Sequence, residues 1–162
     1  MSVFRLGVAA VLFAFSACNP FRSNNAVELD TSGATAGSQW NATLNSPSAL
    51  AGAVQMNGTA SMAPSSDSTS AIVTIDLANA SPGGAHPWEA RRGECGAAGN
   101  AATFGSKDAY EPLDVDSDGL ASSSATIDSR SPTTGRYFVV VHASASNATT
   151  IVACGNFATP TR

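Results

Sequence analysis

The chain has 162 residues, of which 43% are hydrophobic and only 12% are charged, and its formal net charge is −4. This apolar share is too high for an intrinsically disordered acidic segment. An excess of acidic residues is also the wrong balance for a nucleic-acid partner, because phosphates attract basic surfaces. The length allows one domain of ordinary size with a single hydrophobic core.

Residues 1–17 have the pattern of an export signal peptide. Arg5 supplies the positive charge, and residues 6–15 form an apolar run that is too short to span a membrane as a helix. Residues 15–18 (FSAC) then resemble the lipobox of bacterial lipoproteins, in which the cysteine is lipidated and becomes the new N-terminus. The resemblance implies an exported protein of the cell envelope or periplasm, held to a membrane through Cys18. The alternative is plain cleavage near Ala17, which gives a secreted protein.

Residues 18–37 are polar and aperiodic, which predicts a flexible tether before the domain. The domain itself is expected over residues 38–158, followed by a short tail at 159–162. Its first half shows apolar residues at every second position, which is typical of strands with one buried face. The alternating sets are Trp40, Ala42 and Leu44; Val54, Met56, Gly58, Ala60 and Met62; and Ala71, Val73, Ile75 and Leu77.

The second half of the domain predicts further strands. Ala121, Ala125 and Ile127 share one face of a strand, and residues 151–157 form a last strand. The run of five large residues at 137–141 is suited to a strand that is covered on both faces. No segment after the leader keeps helical spacing, so we expect little helix. Seven or eight short strands separated by turn signals predict an all-β sandwich or barrel.

Cysteine usage fits an oxidising compartment. The chain has three cysteines, and the leader accounts for Cys18. Cys95 and Cys154 remain as a pair, which predicts a disulfide outside the cytoplasm, with reactive thiols as the alternative. Such a bond closes a loop of about 60 residues and is worth about 4 kcal/mol in the chain-entropy model.

Several segments, taken together and in order, resemble the Cu/Zn superoxide dismutase family. Residues 82–91 are similar to the Pro-Gly turn and His-Gly-Phe-His-Val-His signature of that family. The segments with this resemblance are 58–62 (GTASM), 72–77 (IVTIDL), 82–91 (PGGAHPWEAR), 93–96 (GECG), 113–121 (LDVDSDGLA), 135–142 (GRYFVVVH) and 151–155 (IVACG). The resemblance covers residues 38–158. It implies a Greek-key β-sandwich or flattened barrel of about eight antiparallel strands, with Cys95 and Cys154 as the intrasubunit disulfide.

The resemblance also implies copper-catalysed disproportionation of superoxide, and here the sequence departs from the family. Family members hold copper with four histidines, since imidazole suits this metal. This chain has two histidines in total, His86 and His142. No arginine occurs near residues 150–151, where the family places the arginine that steers superoxide.

Matching the family pattern residue by residue leaves one copper ligand in place. Two ligand positions fall on Glu89 and Arg91, and a third falls on His142, which is retained. The fourth position lies within residues 100–110, which contain no histidine. His86 matches a family histidine that braces the site through hydrogen bonds without binding the metal.

The replaced positions suggest what stands where the metal would be. Residues two apart in a strand project to the same side, so Glu89 and Arg91 are expected to share a face. If the neighbouring strand brings His142 alongside, an ion pair of Glu89 with Arg91 or Arg92 takes over the cross-linking role of the metal. The alternative is three solvated side chains at a rim, which contribute little to stability.

Two other features have plainer interpretations. Residues 114–119 (DVDSDG) look like the opening of an EF-hand calcium loop, but position 125, where the bidentate acid belongs, is an alanine. An Asp-Gly turn between strands is therefore the preferred interpretation. Trp88 and Tyr137 are predicted to be core aromatic residues rather than platforms for a ligand.

The sequence thus predicts an exported superoxide dismutase-like domain that has lost most copper and zinc ligands. It is expected to be a non-catalytic binding or structural module of the cell envelope, without a cofactor, and no motif identifies a protein partner. The alternative is a copper-binding family member with residual dismutase or copper-buffering activity, in which His142, Glu89 and His86 hold the metal.

Overall fold

A computed structural model describes residues 39–50, 55–96 and 101–160. The predicted signal peptide, the tether, Cys18 and Val54 lie outside the described residues. The described part is all-β with almost no helix, as predicted: it contains nine strands and two short 3-10 turns, at Ser48–Leu50 and Lys107–Ala109. The strands are β1 Trp40–Asn45, β2 Asn57–Pro64, β3 Ala71–Ala78, β4 Ala85–His86, β5 Trp88–Arg92, β6 Leu113–Asp114, β7 Ala121–Ile127, β8 Tyr137–Ser144 and β9 Asn147–Asn156.

Seven of these strands form one curled antiparallel sheet. Its strand order is β5-β8-β9-β1-β2-β3-β7, and the two-residue strands β4 and β6 pair with each other separately. The described residues include no helix that is long and apolar enough to cross a membrane.

The half of the sheet made by β1, β2, β3 and β7 follows the predicted alternation. In β3, the inward residues Val73, Ile75 and Leu77 are buried in the main core. The outward positions hold mainly hydroxyl and amide side chains, with Asp76 and the half-buried Ile72 among them, and the Ser61 and Thr74 hydroxyls hydrogen-bond across neighbouring strands at 2.6 Å. One face is therefore apolar and buried, and the other is mainly polar.

Strand β8 is covered on both faces, as its run of large residues predicts. Tyr137, Val139 and Val141 belong to the main core, whereas the alternate residues Phe138 and Val140 form a second, smaller apolar cluster with Cys154. Ala101, Ile151 and Cys95 pack against that smaller cluster. Trp88 and Tyr137 are both buried in the main core, in agreement with their predicted role.

Strand β9 begins earlier than its apolar residues indicate. Its predicted start was residue 151, but the structure pairs Ser144 with Asn147 across a tight turn. Pairing within a hairpin satisfies backbone groups regardless of side-chain polarity, so the strand extends over the exposed residues 147–149.

A disulfide joins Cys95 to Cys154, as the cysteine count predicts, with the two Cα atoms 6.0 Å apart. It ties β9 to the segment that follows β5. The backbone N–H of Cys95 also donates to Asn156 Oδ1 at 2.7 Å, so this attachment has a second bond.

Strands β1 and β9 join the two halves of the sheet through sparse pairing. Asn45 pairs with Cys154, and an isolated bridge pairs Asn41 with Ala158. Between these pairs lies Gly155, where an added Cβ would be 2.3 Å from the carbonyl oxygen of Thr43. Only glycine allows the two backbones to approach this closely.

Residues 114–119, the segment that resembles a calcium loop, contain a turn. The side-chain Oδ1 of Asp116 accepts hydrogen bonds from the backbone N–H groups of Asp118 and Leu120, both at 2.9 Å. Gly119 has a φ of +77°, which suits glycine. The Asp116 carboxylate is thus used to close the turn, in agreement with the preferred interpretation.

Candidate functional site

Glu89 and Arg91, which the sequence resemblance predicts at metal-ligand positions, lie on the outward face of β5. Glu89 and Arg91 pair with Val140 and Phe138 of β8, on the side opposite the main core. The loop 101–110 pairs with the free edge of β5, where the N–H of Phe104 donates to Ala90 O at 2.8 Å. Its Ala101 packs against the smaller apolar cluster of the outward face, and its Thr103 side chain contacts Glu89. Glu89 and Arg91 thus share a face of β5, as their spacing predicts, and Glu89 is buried while Arg91 is half-buried.

Three side chains contact the carboxylate of Glu89, a residue that is 6% exposed. Arg91 Nη2 donates to Glu89 Oε1 and forms an ion pair with it, and the Thr103 hydroxyl donates to Glu89 Oε2. His142 Nε2 lies 3.6 Å from Glu89 Oε1. The predicted ion pair is thus present, and the alternative of three solvated side chains at a rim is wrong because Glu89 and His142 are both buried.

The polar contacts keep Glu89 ionised in spite of its burial. Burial raises the pKa of Glu89, but the contacts from His142, Arg91 and Thr103 outweigh it and hold the pKa at about 2, below its ordinary 4.5. A carboxylate with several donors favours its charged form in this way. The site is therefore a paired carboxylate and guanidinium at neutral pH.

His142 is positioned by its backbone and by His86. An irregularity in the β8–β9 pairing occurs between Val141 and His142, and such irregularities re-aim side chains. The His142 N–H donates to Pro87 O at 2.8 Å, and its carbonyl oxygen lies 3.0 Å from His86 Nδ1. His86 is 6% exposed and contacts the backbone of His142, and within the described residues no hydrogen bond or ion pair joins its side chain to Glu89 or Arg91.

The residues at this position do not fit copper. Both oxygens of Glu89 are already engaged, and a guanidinium cation, which would repel a metal ion, sits against one of them. Within the described ranges, no cluster of three or more His, Cys, Asp and Glu side chains is arranged to hold a metal ion. Imidazole, the ligand type that copper favours, is represented here by His142 alone.

Beside this network opens a pocket with a volume of about 270 Å³. Glu89, Arg91 and His142 contribute to its lining, together with Lys107 and Tyr110 from the covering segment. Thr103, Lys107 and Tyr110 are not among the predicted site residues, because a loop has no periodicity from which their placement can be predicted. A lone lysine in an acidic chain was the one available signal.

Compared with known proteins, the chain matches no protein-family model and no curated protein.

Proposed function

We propose that this chain is an exported domain of the Cu/Zn superoxide dismutase type in which an ion-pair network replaces the copper centre, and that it acts as a non-catalytic binding or structural module of the cell envelope. The observation behind this proposal is the engagement of both Glu89 oxygens by Arg91 and Thr103. A guanidinium at a former ligand position supplies a fixed positive charge where the metal would otherwise be.

The fold proposal rests on motif order together with three features of the structure. The sheet is antiparallel and curled, the disulfide joins the two cysteines of the family-like segments, and the His86 ring contacts the His142 backbone. The last contact agrees with the bracing role that the resemblance implies for His86. A Greek-key sandwich is consistent with this arrangement.

The case against catalysis rests on the ligands that the chain can offer. Cycling between two copper oxidation states needs ligands that accept both, and carboxylate does not favour Cu(I). Two histidines, one of them turned to the backbone of the other, do not supply such a set. The site instead stabilises the attachment of segment 101–110 to β5.

The envelope location rests on the leader. A lipid attached to Cys18 anchors the domain to a membrane, and residues 18–37 provide the length between anchor and domain. This step is tested by expressing the full chain and its Cys18→Ser variant. In a detergent phase separation, the parent should enter the detergent phase and the variant the aqueous phase. Equal partition of the two forms would favour the secreted alternative.

Copper titration of the purified protein, followed by visible absorption and paired with a superoxide assay, tests the loss of the metal centre. We expect no absorption band of protein-bound copper and no turnover. The double variant Glu89→His with Arg91→His is a matched positive control, because it restores two imidazoles on the same face as His142. We expect that variant to bind copper at least about tenfold more tightly. Tight binding with turnover by the parent protein would overturn the proposal, and binding without turnover would favour copper buffering.

A further inference from the structure

We draw no further inference here: the strongest candidate, the polar groove that Thr43, Thr59 and Asp76 line on the outward face of β1, β2 and β3, is an unpartnered face of the sheet, and nothing in the described part of the structure shows what covers it.

Discussion

The outward face of β1, β2, β3 and β7 carries mainly hydroxyl and amide side chains that are exposed or half-buried, whereas on the outward face of β5 and β8 the Glu89 and His142 side chains are buried beside the loop 101–110. Polar groups occur on both faces, but only under the loop are they buried. The Ser61–Thr74 hydrogen bond is on the open face, and the Glu89–Arg91 pair is on the covered one.

The difference shows that burial decides what a polar contact contributes. On the open face, water offers each hydroxyl an equivalent partner, so a lost contact is readily replaced. Under the loop, removal of one partner leaves the other charged and desolvated. The same sheet thus holds polar contacts of very different energetic weight, and four experiments compare them.

Loss of the disulfide should have the largest effect, because Cys95 and Cys154 hold the covered half together. The double variant Cys95→Ser with Cys154→Ser should lose about 4 kcal/mol of unfolding free energy, as expected for a closed loop of this length. Urea unfolding measures the loss. A reductant should destabilise the parent protein and leave the double variant unchanged; an unaffected parent would show that this bond does not support the fold.

Acidification should have the second-largest effect on the free energy of unfolding. The folded-state pKa of Glu89, about 2, lies below its ordinary 4.5, so the charged form stabilises the fold above pH 4.5. That contribution is lost as the pH falls from about 5 to 2 and amounts to at most about 3 kcal/mol. Urea unfolding at successive pH values should show a smaller acid dependence in Glu89→Gln than in the parent. Identical acid dependence of the two proteins would contradict the pairing.

Glu89→Gln at neutral pH should lower the free energy of unfolding by about 2 kcal/mol, because it leaves the Arg91 cation without a charged partner. The matched control is Glu94→Gln, which breaks the ion pair of Glu94 with Arg136. Those two side chains are 52% and 75% exposed, so the control should change stability by less than about 0.5 kcal/mol. Thermal unfolding compares the variants, and equal shifts would show that the loop does not shield Glu89.

The smallest loss of stability is expected for a substitution on the open face of β3, which can be compared with its buried neighbour in the same strand. Thr74→Ala removes the outward hydroxyl that contacts Ser61 and should change stability by less than about 0.5 kcal/mol. The adjacent Val73→Ala creates a void in the main core and should cost about 2 kcal/mol. Urea unfolding of both variants makes the comparison within one strand; a larger cost for Thr74→Ala would mean that its face is not open to water.

The strands with one open face were predictable from sequence because their pattern is local. Alternation of apolar and polar residues placed β1, β3 and β7, and the unbroken run at 137–141 identified β8 as covered on both sides. The start of β9 was not predictable, since Asn147 joins the strand through hairpin pairing and not through an apolar side chain.

The site was predictable only in part, for a similar reason. Two-residue spacing correctly placed Glu89 and Arg91 on one face, and the buried neighbour His142 followed from the family-like motifs. Thr103 and the cover formed by its segment escaped prediction. The loop is attached to the edge of β5 by backbone bonds such as Phe104 N–H to Ala90 O, which leave no periodic pattern in the sequence.

Gly155 lies where the two halves of the sheet meet. It lies next to Cys154 and against the Thr43 carbonyl, on the line where β1 meets β9. Backbone pairing is sparse along this line, so local opening of the sheet is expected to start here, where amide protons exchange with solvent earliest. Because Gly155 has no Cβ, β1 and β9 can pack closely along this line. Opening along it would separate the half of the sheet that faces solvent from the half that contains the Glu89–Arg91 pair.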